Sequence, residues 1–223
     1  MMSPNQHLTR QLDLIPVEIL DTPINIIGAG AIGSFTALAL AKMGFNNITA
    51  IDFDHIDVEN MNCQFYRFKD IGKAKVDALK ELIEDFTGIE INAINDTWNG
   101  AILEGITICA VDNMKVRKQI FDAHNRKAFR TQAIIDPRMG AETAMMFAYS
   151  PVQPKELEEY SSSLYSDEDA VQERCTAKST MYTACMLSGL VAKTVKNILC
   201  KEESSKNLVW DINKDDMCVL KRA

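Results

Sequence analysis

Long apolar runs are missing from this sequence. No stretch reaches the roughly 18 to 20 uninterrupted apolar residues that a bilayer-spanning helix requires, so no membrane span is expected. Met1 to Pro23 lacks a basic segment followed by an apolar run; no signal peptide is expected, and a cytoplasmic location is the default reading. The six cysteines, Cys63, Cys109, Cys175, Cys185, Cys200 and Cys218, include no C-x-x-C pair. That argues against a zinc ribbon or a small disulfide scaffold. The three histidines, His7, His55 and His124, show no metal-ligand spacing, and nothing resembles a Ser-His-Asp set. Positive charge is in deficit: 24 Lys and Arg face 31 Asp and Glu, for a net charge of −7. Nucleic-acid binding needs a basic footprint, so a small ligand or a partner protein fits better. No internal repeat or low-complexity tract is present.

What remains is the composition of an ordinary folded domain, 47% hydrophobic and 25% charged over 223 residues. Residues 3–20 read as a short helical arm interrupted by Pro16. Ile24 to Ile27 is a buried strand by its β-branched content. Gly28-Ala29-Gly30-Ala31-Ile32-Gly33 follows, then an Ala- and Leu-rich helix from Ser34 to Met43, stopped at Gly44. Ile48 to Asp52 is a second strand. Asp70 to Phe86 has the apolar spacing of a helix at Val76, Leu79, Leu82 and Ile83. Strands are expected at 89–94, 106–110, 133–135 and 143–149, with a helix at 114–125. The segment 151–175 changes character, with Pro154, three serines from Ser161 and the acidic run Asp167-Glu168-Asp169; a mobile surface crossover is expected there. A long helix from Lys178 to Leu199 and a hairpin, Asn207 to Ile212 and Met217 to Lys221, close the chain. The expectation is one α/β domain over 1–223: a Rossmann-like, mostly parallel sheet with helices on both faces, an N-terminal arm (1–20) and a C-terminal hairpin.

The glycine pattern sits where a nucleotide loop needs it, between a strand and a helix. Gly28 permits a tight turn, Gly30 lets the backbone approach a phosphate, and Gly33 lets the helix pack on the strand. The N-terminus of the helix that follows, with Ala31 in the loop before it among the expected nucleotide contacts, offers N–H groups to anionic oxygens. Asp52 ends the next strand, where a carboxylate can hold ribose hydroxyls. The loop alone does not choose between ATP and NAD.

The residues after Asp52 carry a resemblance. The run Asp52-Phe53-Asp54, then Val58, Asn60, Asn62 and Gln64, is similar to the signature of ThiF/MoeB-like, ubiquitin-activating-type adenylyltransferases. Gly72-Lys73-Ala74-Lys75 stands where that family has G-x-x-K, Asp112-Asn113 where it has an Asp-Asn pair, and Arg10-Gln11 matches its N-terminal arm. These elements span about residues 10 to 125. The resemblance implies an ATP- and Mg²⁺-dependent enzyme that adenylates a carboxylate, the C-terminus of a ubiquitin-like or sulfur-carrier protein or else a small peptide or acid. It implies that Asp54 and Asn60 line the nucleotide pocket, and that Arg10 reaches into a neighbouring subunit's site, so that the protein is a dimer. The chemistry agrees, since two anions must be brought together and positioned cations and a metal ion oppose their repulsion. Lys75 suits phosphate oxygens. Asp112 suits Mg²⁺, although it could instead be the N-cap of the helix that follows.

The pattern breaks at Cys63, which replaces the family's arginine before Gln64; a thiol supplies neither a permanent charge nor a bidentate fork. Arg67, four residues on, is the expected substitute, with Arg10 a second candidate. Cys175 is the expected acyl-accepting thiol, since it follows the acidic stretch, neighbours Arg174 and Lys178, and leads into the last helix. Two rival readings remain: a catalytically silent scaffold of the same family, and an NAD-dependent oxidoreductase.

Overall fold

The computed structural model describes residues 8–125, 130–165, 179–203 and 205–219. One mixed sheet of eight strands organises them, in the order β3-β2-β1-β4-β5-β6-β7-β8. The strands are β1 (Ile24–Ile27), β2 (Ile48–Ile51), β3 (Asn92–Ile94), β4 (Gly105–Cys109), β5 (Thr131–Gly140), β6 (Thr143–Tyr149), β7 (Asn207–Asp211) and β8 (Asp216–Val219). Strands β3, β2, β1, β4 and β5 pair in parallel, whereas β5 to β8 pair antiparallel. The parallel part is fully buried at β1 and β4, as expected for strands covered on both faces. The helices are α1 (Ala31–Lys42), α2 (Lys75–Thr87), α3 (Met114–Asn125), α4 (Pro154–Ser161) and α5 (Met181–Leu199).

The chain leaves β1 for β2 on one side and reaches β4 on the other. This reversal opens a crevice at the C-terminal ends of β1 and β4, the place where open α/β sheets bind ligands. The main core joins Ile24, Ile26, Ile106, Ile108 and Ile135 of the sheet to Leu40 of α1, Leu79 of α2 and Val191 of α5. It fixes the crevice from below.

Three expectations need correction. Helix α2 starts at Lys75, not Asp70; residues 68–70 form a single 3-10 turn and Gly72 then takes φ +87°, which ends any continuous helix. The segment expected to be a mobile crossover instead opens with α4, which has Pro154 in its first turn and Tyr160 buried. The N-terminal arm, expected to be a short helix, shows from residue 8 to residue 20 only turns and 3-10 segments such as Val17–Ile19; it is docked by buried Leu8, Ile15 and Leu20, and Gln11 Nε2 donates to the Met43 carbonyl at 2.8 Å. Residues 166–178, which include the acidic run and Cys175, lie outside the described residues.

Candidate functional site

The glycine loop closes the bottom of the crevice. Gly28 has φ +96°, and a Cβ built on it would stand 2.5 Å from the Ala110 carbonyl oxygen. Only glycine lets β1 turn this close to the end of β4. A Cβ on Gly33 would stand 1.9 Å from the Gly28 carbonyl oxygen, so α1 packs directly on the turn. Gly30 differs: a Cβ there would meet nothing within 4 Å. Open space therefore lies above the N-terminus of α1, which begins at Ala31, where unpaired backbone N–H groups favour anions. This cradle fits the phosphates of a nucleotide.

Asp52 braces the loop. Its Oδ2 accepts the Ala29 N–H at 2.6 Å and its Oδ1 the Asp54 N–H at 2.8 Å. A carboxylate oxygen has a second lone pair, so both retain capacity for a ribose hydroxyl. Tyr66 braces the other side, its hydroxyl donating to the Ala29 carbonyl at 2.6 Å. Burial, and then the negative charge of Asp52, hold the Tyr66 phenol well above its ordinary pKa, so it stays a donor. Nothing in the motif points to Tyr66.

Lys75 and Asp54 meet through local pairing. His55 forms a short antiparallel bridge with Ala74, and the Lys75 N–H donates to the Asp54 carbonyl at 2.9 Å. Lys75 Nζ then lies 2.8 Å from Asp54 Oδ2, with the lysine buried and the aspartate half exposed. Asn60 lies in a 3-10 turn (Val58–Asn62), where its Oδ1 accepts the Asp57 N–H at 3.0 Å.

Asp112 follows β4 and is exposed. The cap of α3 belongs to its neighbour: Asn113 Oδ1 accepts the N–H groups of Lys115 at 2.8 Å and Val116 at 3.2 Å. Asp112 is thus free of the capping duty that sequence alone left open. Among the described residues no group of three or more His, Cys, Asp or Glu could hold a metal ion by itself. A lone carboxylate suits Mg²⁺ shared with phosphates and water rather than a protein cage.

Arg67 has other employment. Its guanidinium is held by Asp70 at 2.6 Å, Glu81 at 2.9 Å and Asp85 at 3.0 Å. Burial pushes the Asp70 carboxyl up, but hydrogen bonds from Arg67 and Lys73 outweigh it and hold that carboxyl low. With three carboxylates on its fork, Arg67 would have to exchange one of them to meet a triphosphate. It lines an apolar pocket of about 280 Å³ with Phe65, Tyr66, Leu82, Asp85 and Phe86. Cys63 is buried, its sulfur 3.9 Å from the Asn60 carbonyl. Arg10 is exposed on the docked arm. Cys175 lies outside the described residues.

A second polar cluster adjoins the crevice and was not legible in the sequence. Arg117 of α3 is buried and ion-paired with Asp136 of β5, itself fully buried. The other Asp136 oxygen accepts from Arg138 Nε at 2.8 Å and from the Tyr160 hydroxyl at 2.9 Å. Arg138 stacks on Phe147, 4.4 Å from its ring centre, and donates to the Ser163 carbonyl at 2.9 Å.

A Gly-rich turn at the switch point of a doubly wound sheet, opening a helix and braced by an acid at the end of β2, defines a nucleotide-binding α/β protein. The chain belongs to the ThiF family, whose profile matches residues 16–220. It is 35% identical over 107 residues to a NEDD8-activating enzyme E1 catalytic subunit of Caenorhabditis elegans, covering 45% of this chain and 25% of that protein. It is 36% identical over 66 residues to a tRNA threonylcarbamoyladenosine dehydratase of Bacillus subtilis (strain 168), covering 29% of this chain and 26% of that protein. The chain thus spans about a quarter of the length of these relatives. Among solved structures, E. coli MccB with ATP superposes with a TM-score of 0.79 at 17% identity, covering 96% of this chain and 70% of that one. That likeness concerns the fold.

Proposed function

We propose that the chain binds ATP at the Gly28–Gly33 loop and adenylates a carboxylate, the C-terminus of a ubiquitin-like or sulfur-carrier protein or of a peptide. The observation that carries this reading is the pair of free features flanking the crevice: open space at Gly30 and an Asp112 relieved of capping. Family membership supports it, as do the named activities of the relatives, a NEDD8-activating subunit among them.

In this reading Asp52 takes the ribose, Asp54 and Asn60 line the nucleotide pocket, and the α1 N-terminus with Lys75 takes phosphate oxygens. Lys75 reaches them by exchanging Asp54 for phosphate, an exchange of one anion for another that keeps its charge paired. Asp112 would hold Mg²⁺, which would supply positive charge to phosphate oxygens. The substrate carboxylate oxygen attacks the α-phosphorus, the bond to the bridging oxygen of the β-phosphate breaks, and pyrophosphate leaves. Arg10 of a second copy would add the cation that Cys63 does not provide, and Cys175 would accept the acyl group if transfer continues to a thiol. ATP–pyrophosphate exchange tests the reading: carboxylate-dependent exchange is expected with Mg²⁺, and NAD(H) should give no binding heat. A thiol-sensitive adduct that survives Cys175→Ser would remove that residue from the scheme.

One observation favours a second reading, a catalytically silent scaffold. Cys63 stands at the arginine position and Arg67 is saturated by carboxylates. ATP binding without exchange, with every carboxylate offered, would decide for the scaffold.

A further inference from the structure

Arg117 takes no part in the nucleotide contacts above, yet it is buried beside the crevice and engaged by three carbonyls and a carboxylate. From the end of the first turn of α3 its guanidinium donates to the carbonyl of Val111, to those of Cys109 and Pro137, each at 3.4 Å, and pairs with Asp136. One side chain therefore ties the end of β4, the middle of β5 and the turn into α3. A buried ion pair is often no more stabilising than apolar residues of the same volume in place of both partners, so stability alone does not account for it. What the fork adds is direction, because its donors lie in one rigid plane.

That direction matters at one residue. Among the described residues no hydrogen bond or ion pair holds the Asp112 side chain, so the backbone on either side sets its aim. On one side is the Val111 carbonyl, held by Arg117. On the other is Asn113, fixed by its two capping hydrogen bonds. Resting on the nucleotide reading above, we propose that Arg117, aligned by Asp136, is a positioning residue that aims Asp112 at the metal ion of a bound Mg·ATP. The opposite face of the Asp136 carboxylate is closed by Arg138 and Tyr160. It cannot swing away from Arg117 without stripping two further donors.

The test is calorimetric titration of the full chain with ATP, in EDTA and over a series of Mg²⁺ concentrations. The unmodified chain, Arg117→Lys, Asp112→Asn and the double variant are compared, with a melting curve for each. Lysine keeps the charge but cannot reach three carbonyls and a carboxylate together. The metal-free ATP affinity of Arg117→Lys should match that of the unmodified chain, while the gain in affinity on adding Mg²⁺ should shrink about 10-fold, the usual effect of removing an outer-sphere support. Asp112→Asn should lose that same gain, and the double variant should be no worse than Asp112→Asn. A role in folding alone lowers the melting temperature and leaves the Mg²⁺ dependence intact, which would overturn the proposal; so would additive losses in the double variant. If Arg117→Lys does not fold, Asp136→Asn is read by the same criteria. An unmodified chain that shows no Mg²⁺-dependent ATP binding removes the nucleotide reading and this inference with it. A gain kept by both the unmodified chain and Arg117→Lys removes only the inference.

Discussion

Asn113, rather than Asp112, closes the N-terminus of α3, and this makes an Asp112→Ala change readable. Loss of a cap would cost about 1 kcal/mol of stability. With Asn113 in place the expected change is within about 0.5 kcal/mol, the range of an ordinary surface substitution. Loss of a charge-stabilising contact should instead cost on the order of 3 kcal/mol in the transition state. Melting and pyrophosphate exchange, measured together, separate the two. His124 carries a pH prediction. It is fully buried, its Nδ1 lies 2.8 Å from the Ile120 carbonyl, and its Nε2 accepts the Leu103 N–H at 3.5 Å. Burial lowers its pKa below the ordinary 6.5, and a proton on Nε2 would face another N–H. The unfolded chain therefore binds the proton more readily than the folded one. Stability should be fully present above about pH 6.5 and fall as the pH drops below it. The carboxyls held low, Asp70 and Glu81 among them, start from 3.8 and 4.5 and act further down. His124→Gln should flatten the melting temperature between pH 7 and pH 5; an unchanged slope would assign it to another group.

At the scale of the elements, the glycine loop separates folding from binding. Gly33→Ala drives a methyl into the Gly28 carbonyl and should cost about 1–3 kcal/mol of stability. Gly30→Ala meets open space at φ −76°; it should fold normally and lose ATP affinity, because the methyl occupies the cradle. Equal ATP binding by Gly30→Ala and the unmodified chain would place the phosphates elsewhere. The β1–α1–β2 unit, α3 and β6 were legible in the sequence because apolar period and glycine punctuation agree there. The start of α2 was not, because its apolar spacing continues through a glycine whose left-handed φ only the structure reveals. Strand β5 runs past Pro137, where a strand would be expected to end. It can, because β4 pairs with β5 only up to Ile135 and Pro137 faces β6 alone. Of the site, the loop, Asp52, Lys75 and Asp112 stand in a recognisable order. Tyr66, Arg117 and Asp136 do not, since contacts across about 20 residues or more have no local signature.

At the scale of the whole molecule, two segments each carry several exposed apolar side chains. Leu14 and Val17 lie on the docked arm, and Phe53, Val58, Phe68 and Ile71 on the stretch between β2 and α2, with Phe68 74% exposed. These segments carry Arg10 and Asp54, whose partner Lys75 opens α2. Burying apolar surface drives association, so the same contact that covers these side chains would bring Arg10 of one copy toward the crevice of another. The edge strand β8 offers a competing surface through Met217 and Val219, where pairing would extend the sheet. A dimer is expected in solution, and light scattering should give about twice the 24.9 kDa of one chain. Leu14→Glu with Phe68→Glu should yield monomers that still bind ATP but lose exchange activity. Met217→Lys should leave the dimer intact. Dissociation by Met217→Lys alone would move the interface to β8 and leave Arg10 without a route into a neighbouring site. A single 24.9 kDa species with full exchange activity would remove the need for a second copy, and the cation missing at Cys63 would then have to come from within the chain.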